Sequence, residues 1–149
     1  MYKSLNNKVA LVTGAGTGIG RAIAQRLADE GANVLIVGRT ETTLVETAAY
    51  SDKISYLAID LESEDGIRTI IRTVGERYGR LDILVNNAGI IKRNDAIDYT
   101  EEDWDPVVFL NQKFTFFLCQ AAAKQFIAQK SGGKIINIAS MLSYQGGIR

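Results

Sequence analysis

The chain has 149 residues, 46% of them hydrophobic and 23% charged, with one proline; this fits one compact domain and excludes a disordered, fibrous or repeat protein. Lysine plus arginine and aspartate plus glutamate stand at 17 each, so no net field draws the chain to nucleic acid or an anionic membrane, and a small-molecule partner is the simpler expectation. Histidine is absent and Cys119 is the only cysteine, which removes His-based triads, metal clusters of His and Cys, and internal disulfides; any acid–base chemistry must use another side chain.

Residues 1–8 are too polar for a secretory leader, and no apolar run approaches the ~18 residues that span a bilayer, so the cytoplasm is the expected location. Val9, Ala10, Leu11 and Val12 form a first buried strand, ended by Thr13-Gly14. Ile19, Ile23 and Leu27 recur every fourth residue with Ala22 beside them, which predicts a helix with that apolar face and Gly31 at its C-terminal cap. Residues 34–37 make a second strand, and Thr40-Glu41 opens a helix running to about Ala49. A third strand covers residues 54–59. Ser63, Glu64 and Asp65 cap the next helix, whose buried stripe is Ile67, Ile70, Ile71 and Val74 and whose stop is Gly79.

Residues 83–85 give a fourth strand. Thr100 with Asp103 resembles a capping box and opens a long helix that carries Phe114, Phe117, Leu118, Ala121 and Phe126 and ends at Gly132-Gly133. Pro106 removes one backbone donor inside it, so a local kink is expected there. Residues 135–138 make the fifth strand. Strands alternating with helices in this way predict an α/β fold, a doubly wound, Rossmann-type parallel sheet in a single dinucleotide-binding domain over residues 1–149, incomplete on its C-terminal side.

Ligands of such sheets sit at the carboxyl ends of the strands. Those ends read Thr13-Gly14, Gly38-Arg39, Asp60-Leu61, Asn86-Asn87 and Ala139-Ser140, small and polar where the strands are apolar. The first continues as TGAGTGIG, with glycines at 14, 16, 18 and 20 between strand and helix. Lacking Cβ atoms, they let the backbone turn tightly against a pyrophosphate, whose charge meets free N–H groups and the positive end of the helix dipole. The spacing is G-x-x-x-G-x-G through Gly14, Gly18 and Gly20, because Ile19 holds the place where GxGxxG needs its third glycine. After the second strand an acidic residue reads a ribose 2′-OH and an arginine accommodates a 2′-phosphate. Arg39 therefore leans toward NADP over NAD, with a solvated surface arginine as the other reading and Glu41 close by.

Thr13-Gly14-x-x-x-Gly18-x-Gly20, Asp60, Asn86-Asn87-Ala88-Gly89, Asn111 and Ser140, in this order, resemble the short-chain dehydrogenase/reductase family across residues 8–149. The segments IIKRNDAIDYTEEDWD, QAAAKQFIAQ and GGKIINIASMLSYQGGIR resemble members acting on sugar acids such as 2-deoxy-D-gluconate. The resemblance implies NAD(P)-dependent interconversion of a hydroxyl and a keto group, a small-molecule substrate and a homo-oligomer for the full-length form. It further implies Gly14, Gly16, Thr17, Gly18, Ile19 and Gly20 near the pyrophosphate, Asp60 and Leu61 at the adenine, and Asn86, Ala88 and Gly89 at the adenosine ribose. Ser140 would hold the substrate's reacting oxygen, and the backbone at Asn111 would help keep a proton-relay water.

Each residue also has a purely structural reading: Asn86 as a strand stop, Asn111 as a helix-kink residue below Pro106, Ser140 as a turn hydroxyl. A 3-oxoacyl-thioester reductase shares every cofactor motif, and a non-catalytic dinucleotide-binding fragment is the alternative from the binding class. The family's Y-x-x-x-K pair does not occur in this sequence: Tyr144 lies four residues after Ser140 and has Ile148, not lysine, one helical turn on. The expected pair falls beyond Arg149, so the chain reads as truncated and inactive or nearly so by itself. Ile135, Ile136 and Ile138 are then expected on an open, apolar sheet edge.

Overall fold

The computed structural model describes residues 4–63 and 65–145; Glu64 of the expected cap and the segments 1–3 and 146–149 lie outside them. The strands are β1 (Val9–Thr13), β2 (Asn33–Gly38), β3 (Ile54–Ala58), β4 (Ile83–Asn86) and β5 (Lys134–Asn137). They form one parallel sheet in the order β3-β2-β1-β4-β5. The helices are α1 (Gly18–Asp29), α2 (Glu41–Ala48), α3 (Gly66–Tyr78), α4 (Glu101–Val108) and α5 (Thr115–Ala128). This is the expected doubly wound architecture, with the winding reversing between β1 and β4.

Strand apolarity is continuous because both faces are covered. Val9, Leu11, Leu35, Val37 and Leu84 turn to one side, against Ile70 and Val74 of α3 and Leu118, Ala122 and Phe126 of α5. Ala10, Val12, Val34, Ile36 and Val85 turn to the other, against Ala24 and Ala28 of α1 and Leu44 of α2. At the sheet's N-terminal edge the buried Asp82 carboxylate accepts hydrogen bonds from the Val9 N–H (2.9 Å), Lys8 Nζ (3.3 Å) and Arg80 Nε (2.8 Å). Burial alone would raise its pKa, but the hydrogen bonds from Arg80, Val9 and Lys8 outweigh it and hold the carboxyl below its ordinary value.

Several expected helix faces shift. On α1 the buried residues are Gly20, Ala24 and Ala28, while Ile23 and Leu27 are half-buried and Ala22 and Ile19 (65%) are exposed. The helix lies close enough to the sheet that small residues face it. Gly31 follows the helix with φ +99° and Gly79 caps α3 at +70°, as expected. The Thr100 cap is present: Oγ1 accepts from the Asp103 N–H at 3.2 Å.

The helix continues through Pro106 to Val108, and the irregular stretch lies after it, as π-helical turns over Phe109–Phe114. Proline costs the helix one hydrogen bond at its own position, whereas the wide turns follow it. Leu110, Phe114, Leu118, Ala122 and Phe126 face the core; Phe117 (43%) does not, and packs edge-on against exposed Phe116 at 5.3 Å between ring centroids. Ala121 is half-buried, beside rather than on the buried stripe. β5 is exposed along its length, with Ile135, Ile136 and Ile138 open at the sheet edge.

Candidate functional site

The strand ends that carry the motif residues share one edge of the parallel sheet, and Thr13 is the last residue of its central strand. Its side chain is 1% exposed, and its Oγ1 accepts hydrogen bonds from the backbone N–H of Asn87 (3.0 Å) and of Ala88 (2.9 Å). Asn87 returns the contact: its Nδ2 donates to the carbonyls of Thr13 (3.0 Å) and Gly14 (3.1 Å). The loop after β1 and the loop after β4 are thus one hydrogen-bonded unit at the reversal point of the sheet.

Gly14 has φ +64°, and a Cβ there would stand 2.9 Å from the Ala88 Cα. Only glycine meets both demands. Gly18 is different: it also has a left-handed φ, +55°, but no atom lies within 4 Å of where its Cβ would be. Its outer side is open, and Thr17, Gly18 and Ile19 are all exposed. Gly20 packs inward, where a Cβ would meet Asn87 Nδ2 at 2.5 Å, and Gly16 abuts Thr43. Thr17 is the N-cap residue of α1, yet its side chain makes no capping bond, and the first turn holds no acidic residue. The helix therefore presents uncapped N–H donors and the positive end of its dipole on an open face, which suits an anion.

Around this loop the other candidates take their places. Arg39, directly after β2, is exposed, and neighbouring Glu41 accepts a hydrogen bond from the Tyr56 hydroxyl at 3.3 Å. Asp60 is exposed after β3; its Oδ1 accepts from the Glu62 N–H (3.0 Å) and its carbonyl accepts from Ser63 Oγ (2.7 Å). Leu61 is buried in the core. Asn86 is buried and engaged: its Nδ2 donates to Asn137 Oδ1 (2.8 Å), its carbonyl accepts from the Ile138 N–H (2.9 Å), and its Oδ1 has no partner.

Asn111 lies in the π-helical stretch. Its Oδ1 accepts from the Ile90 N–H (3.0 Å) and its Nδ2 donates to the Ile90 carbonyl (2.9 Å), so it fastens the segment that follows Gly89. Ser140 follows β5 as the N-cap of a 3₁₀ turn, Met141–Ser143, and its Oγ accepts from the Leu142 N–H at 3.2 Å. Tyr144 is exposed at the end of that turn. Asn111 stands beside Gly89, and Ser140 comes three residues after Asn137, which pairs with Asn86 at the end of β4. A concavity of about 690 Å³ between Asn94, Tyr99 and Trp104 contains none of the motif residues, so the site is defined by the loops and not by that hollow.

The model of the family described as short chain dehydrogenase matches residues 8–149. The chain belongs to the short-chain dehydrogenase family. It is 51% identical to 2-dehydro-3-deoxy-D-gluconate 5-dehydrogenase of Escherichia coli (strain K12) over 98% of this chain and 58% of that protein. It is 46% identical to the Dickeya dadantii (strain 3937) protein of the same name, with the same coverage of both chains. Among solved structures, NAD+-bound xylitol dehydrogenase superposes with a TM-score of 0.90 at 33% identity, over 97% of this chain and 57% of that one. The chain thus spans a little under three-fifths of the length of these relatives.

Within this short-chain dehydrogenase fold, sequence reading missed three residues that shape the site. Thr13 and Asn87 stand in the motif without an assigned role, and nothing in their spacing marks the mutual lock. Arg21 hydrogen-bonds the Gly16 carbonyl from Nε (3.0 Å) and Nη2 (2.6 Å), a contact that one sequence cannot announce because its other partners, Thr43, Glu46 and Thr47, lie on α2. Among the described residues no helix is long and apolar enough to cross a membrane, and no group of three or more His, Cys, Asp or Glu is placed to hold a metal.

Proposed function

We propose that this chain is the dinucleotide-binding part of an NAD(P)-dependent oxidoreductase that interconverts a hydroxyl and a keto group on a sugar acid. The observation that carries the reading is the loop of residues 13–20: uncapped helix donors on an open face, next to a glycine that no neighbouring atom crowds. A bound nicotinamide cofactor would supply or accept the hydride. Gly14, Gly16, Thr17, Gly18, Ile19 and Gly20 hold the diphosphate, with the glycines permitting approach and the α1 N-terminus offsetting charge. Asp60 and the backbone of Leu61 border the adenine. Ala88 and Gly89 border the adenosine ribose, with Asn86 supporting them from beneath through Asn137. Arg39 faces the ribose 2′ position, where its cation favours a 2′-phosphate, with the Glu41 carboxylate close by in the chain as the opposing charge.

Ser140 donates a hydrogen bond to the substrate's reacting oxygen. Its Oγ already accepts from the Leu142 N–H, so its proton is free to point outward. Asn111 has its side chain committed to Ile90, which leaves its backbone, within wide π turns, as the group that orients a water. The sugar-acid class is supported by the names of the two bacterial relatives; their names place the dehydrogenation at carbon 5, on a different deoxy sugar acid from the 2-deoxy-D-gluconate suggested by sequence segments. In a longer form, exposed Phe116 and Phe117 on α5 and the open β5 edge are surfaces for further chain or a second copy.

A non-catalytic binding reading keeps its place because no Y-x-x-x-K occurs in these 149 residues. A positioned acid–base group contributes about 10²–10⁴-fold. The 149-residue polypeptide therefore turns over at or near background, and adding a segment that carries the pair restores activity. Titration of the purified polypeptide into NADH, followed by nicotinamide fluorescence, tests the binding itself: a saturable change is expected, and none at millimolar cofactor would sink the reading.

A further inference from the structure

We propose that Arg21 is a positioning residue that fixes the direction of the Gly16–Thr17 peptide and so decides whether the loop offers a donor or an acceptor to an anionic ligand; this rests on the dinucleotide reading above. Two Arg21 donors converge on the Gly16 carbonyl, Nε at 3.0 Å and Nη2 at 2.6 Å, and the fully buried Thr47 Oγ1, whose single proton also has the Thr43 carbonyl within reach at 3.0 Å, stands 3.2 Å from it. In a trans peptide the C=O and N–H point opposite ways. Drawing the Gly16 oxygen in between α1 and α2 therefore turns the Thr17 N–H out, away from that latch. Among the described residues nothing accepts a hydrogen bond from this N–H.

The latch is needed because Gly16 is the residue least able to hold its own conformation. Were the peptide to flip, a carbonyl dipole would face the ligand where a donor stood. Arg21 is itself held: its Nε–H is shared between the Gly16 carbonyl and Thr47 Oγ1 (2.9 Å), and Nη2 donates to Glu46 Oε2 (3.0 Å). The Glu46 carboxylate balances the guanidinium charge, so what the residue contributes is direction more than attraction. Its planar fork sets two N–H groups on one oxygen, which a lysine ammonium on a flexible stem does not reproduce. Because Thr43, Glu46 and Thr47 belong to α2, the same contacts tie the glycine loop to the helix that starts just after Arg39.

The test is calorimetric titration of the 149-residue chain with ADP, which carries a diphosphate, and with adenosine, which does not. Arg21→Met is expected to weaken ADP about tenfold or more, the worth of one hydrogen bond to a charged group, and to leave adenosine within about twofold. Arg21→Lys is expected to recover only part of the loss. If the methionine variant does not unfold cooperatively, the lysine variant carries the test, with a selective loss of about threefold or more for ADP expected from a weaker, single-point contact. Equal losses for both ligands, unchanged ADP affinity, or full recovery by lysine would each overturn the proposal. If wild type binds neither ligand, the dinucleotide reading itself falls and takes this inference with it. If wild type binds both and Arg21→Met behaves like wild type, only the role of Arg21 falls.

Discussion

Replacing Thr13 by valine keeps the shape of the side chain and removes one oxygen, so it isolates the lock between the β1 and β4 loops. That oxygen accepts two backbone N–H groups, from Asn87 and Ala88, at a position 1% exposed. A donor stranded in the interior costs about 1–3 kcal/mol. Asn87 and Ala88 are half-buried, so water can reach them in part and each loss belongs in the lower half of that range. The sum is about 2–4 kcal/mol. Thr13→Ser keeps the acceptor and loses one methyl, about 1 kcal/mol. In urea the valine variant's midpoint should fall by about 1 M or more with an unchanged slope, and the serine variant's by less than half as much. Valine within about 0.5 kcal/mol of wild type, or serine equally damaging, would refute the claim that this hydroxyl joins the two loops.

Asn111→Ala removes both bonds to Ile90, and hydrogen exchange of the Ile90 amide should quicken about tenfold or more while core amides keep their protection; unchanged exchange at Ile90 would count against the clamp. Asp82 has a depressed folded pKa, so its contribution is present above the unfolded value and is lost as pH falls through the folded one, below about pH 4. Asp82→Asn should cost about 2 kcal/mol at neutral pH, less than a fully buried pair because Lys8 and Arg80 remain part-exposed, and should flatten the acid limb of the stability profile; an acid limb as steep as wild type's would exclude it as a source. Arg39→Ala should weaken NADPH about tenfold while leaving NADH within twofold; equal effects on the two would remove Arg39 from the 2′ position.

The sheet was legible because strands covered on both faces must be apolar throughout, and residues 9–12 and 34–37 are. The face of α1 was not. Apolar spacing selected Ile19 and Ala22, but a helix lying close to its sheet buries small residues, and Gly20, Ala24 and Ala28 took that side. The π-helical turns over Phe109–Phe114 add no residue type of their own, so proline drew attention to a position three residues too early. At the site, Gly14 announces itself through its backbone demand, whereas nothing in the sequence sets Arg21 apart from the other charged residues. Its meaning comes from Thr47, 26 residues away on another helix.

The most direct measurement is a crystal structure of the polypeptide soaked with NADH. The account predicts the diphosphate at the N-terminus of α1, within hydrogen-bond distance of backbone N–H groups among residues 17–20, with the Gly16 carbonyl still turned toward Arg21. A dinucleotide lodged elsewhere, such as the hollow beside Trp104, with the glycine loop bare, would contradict it.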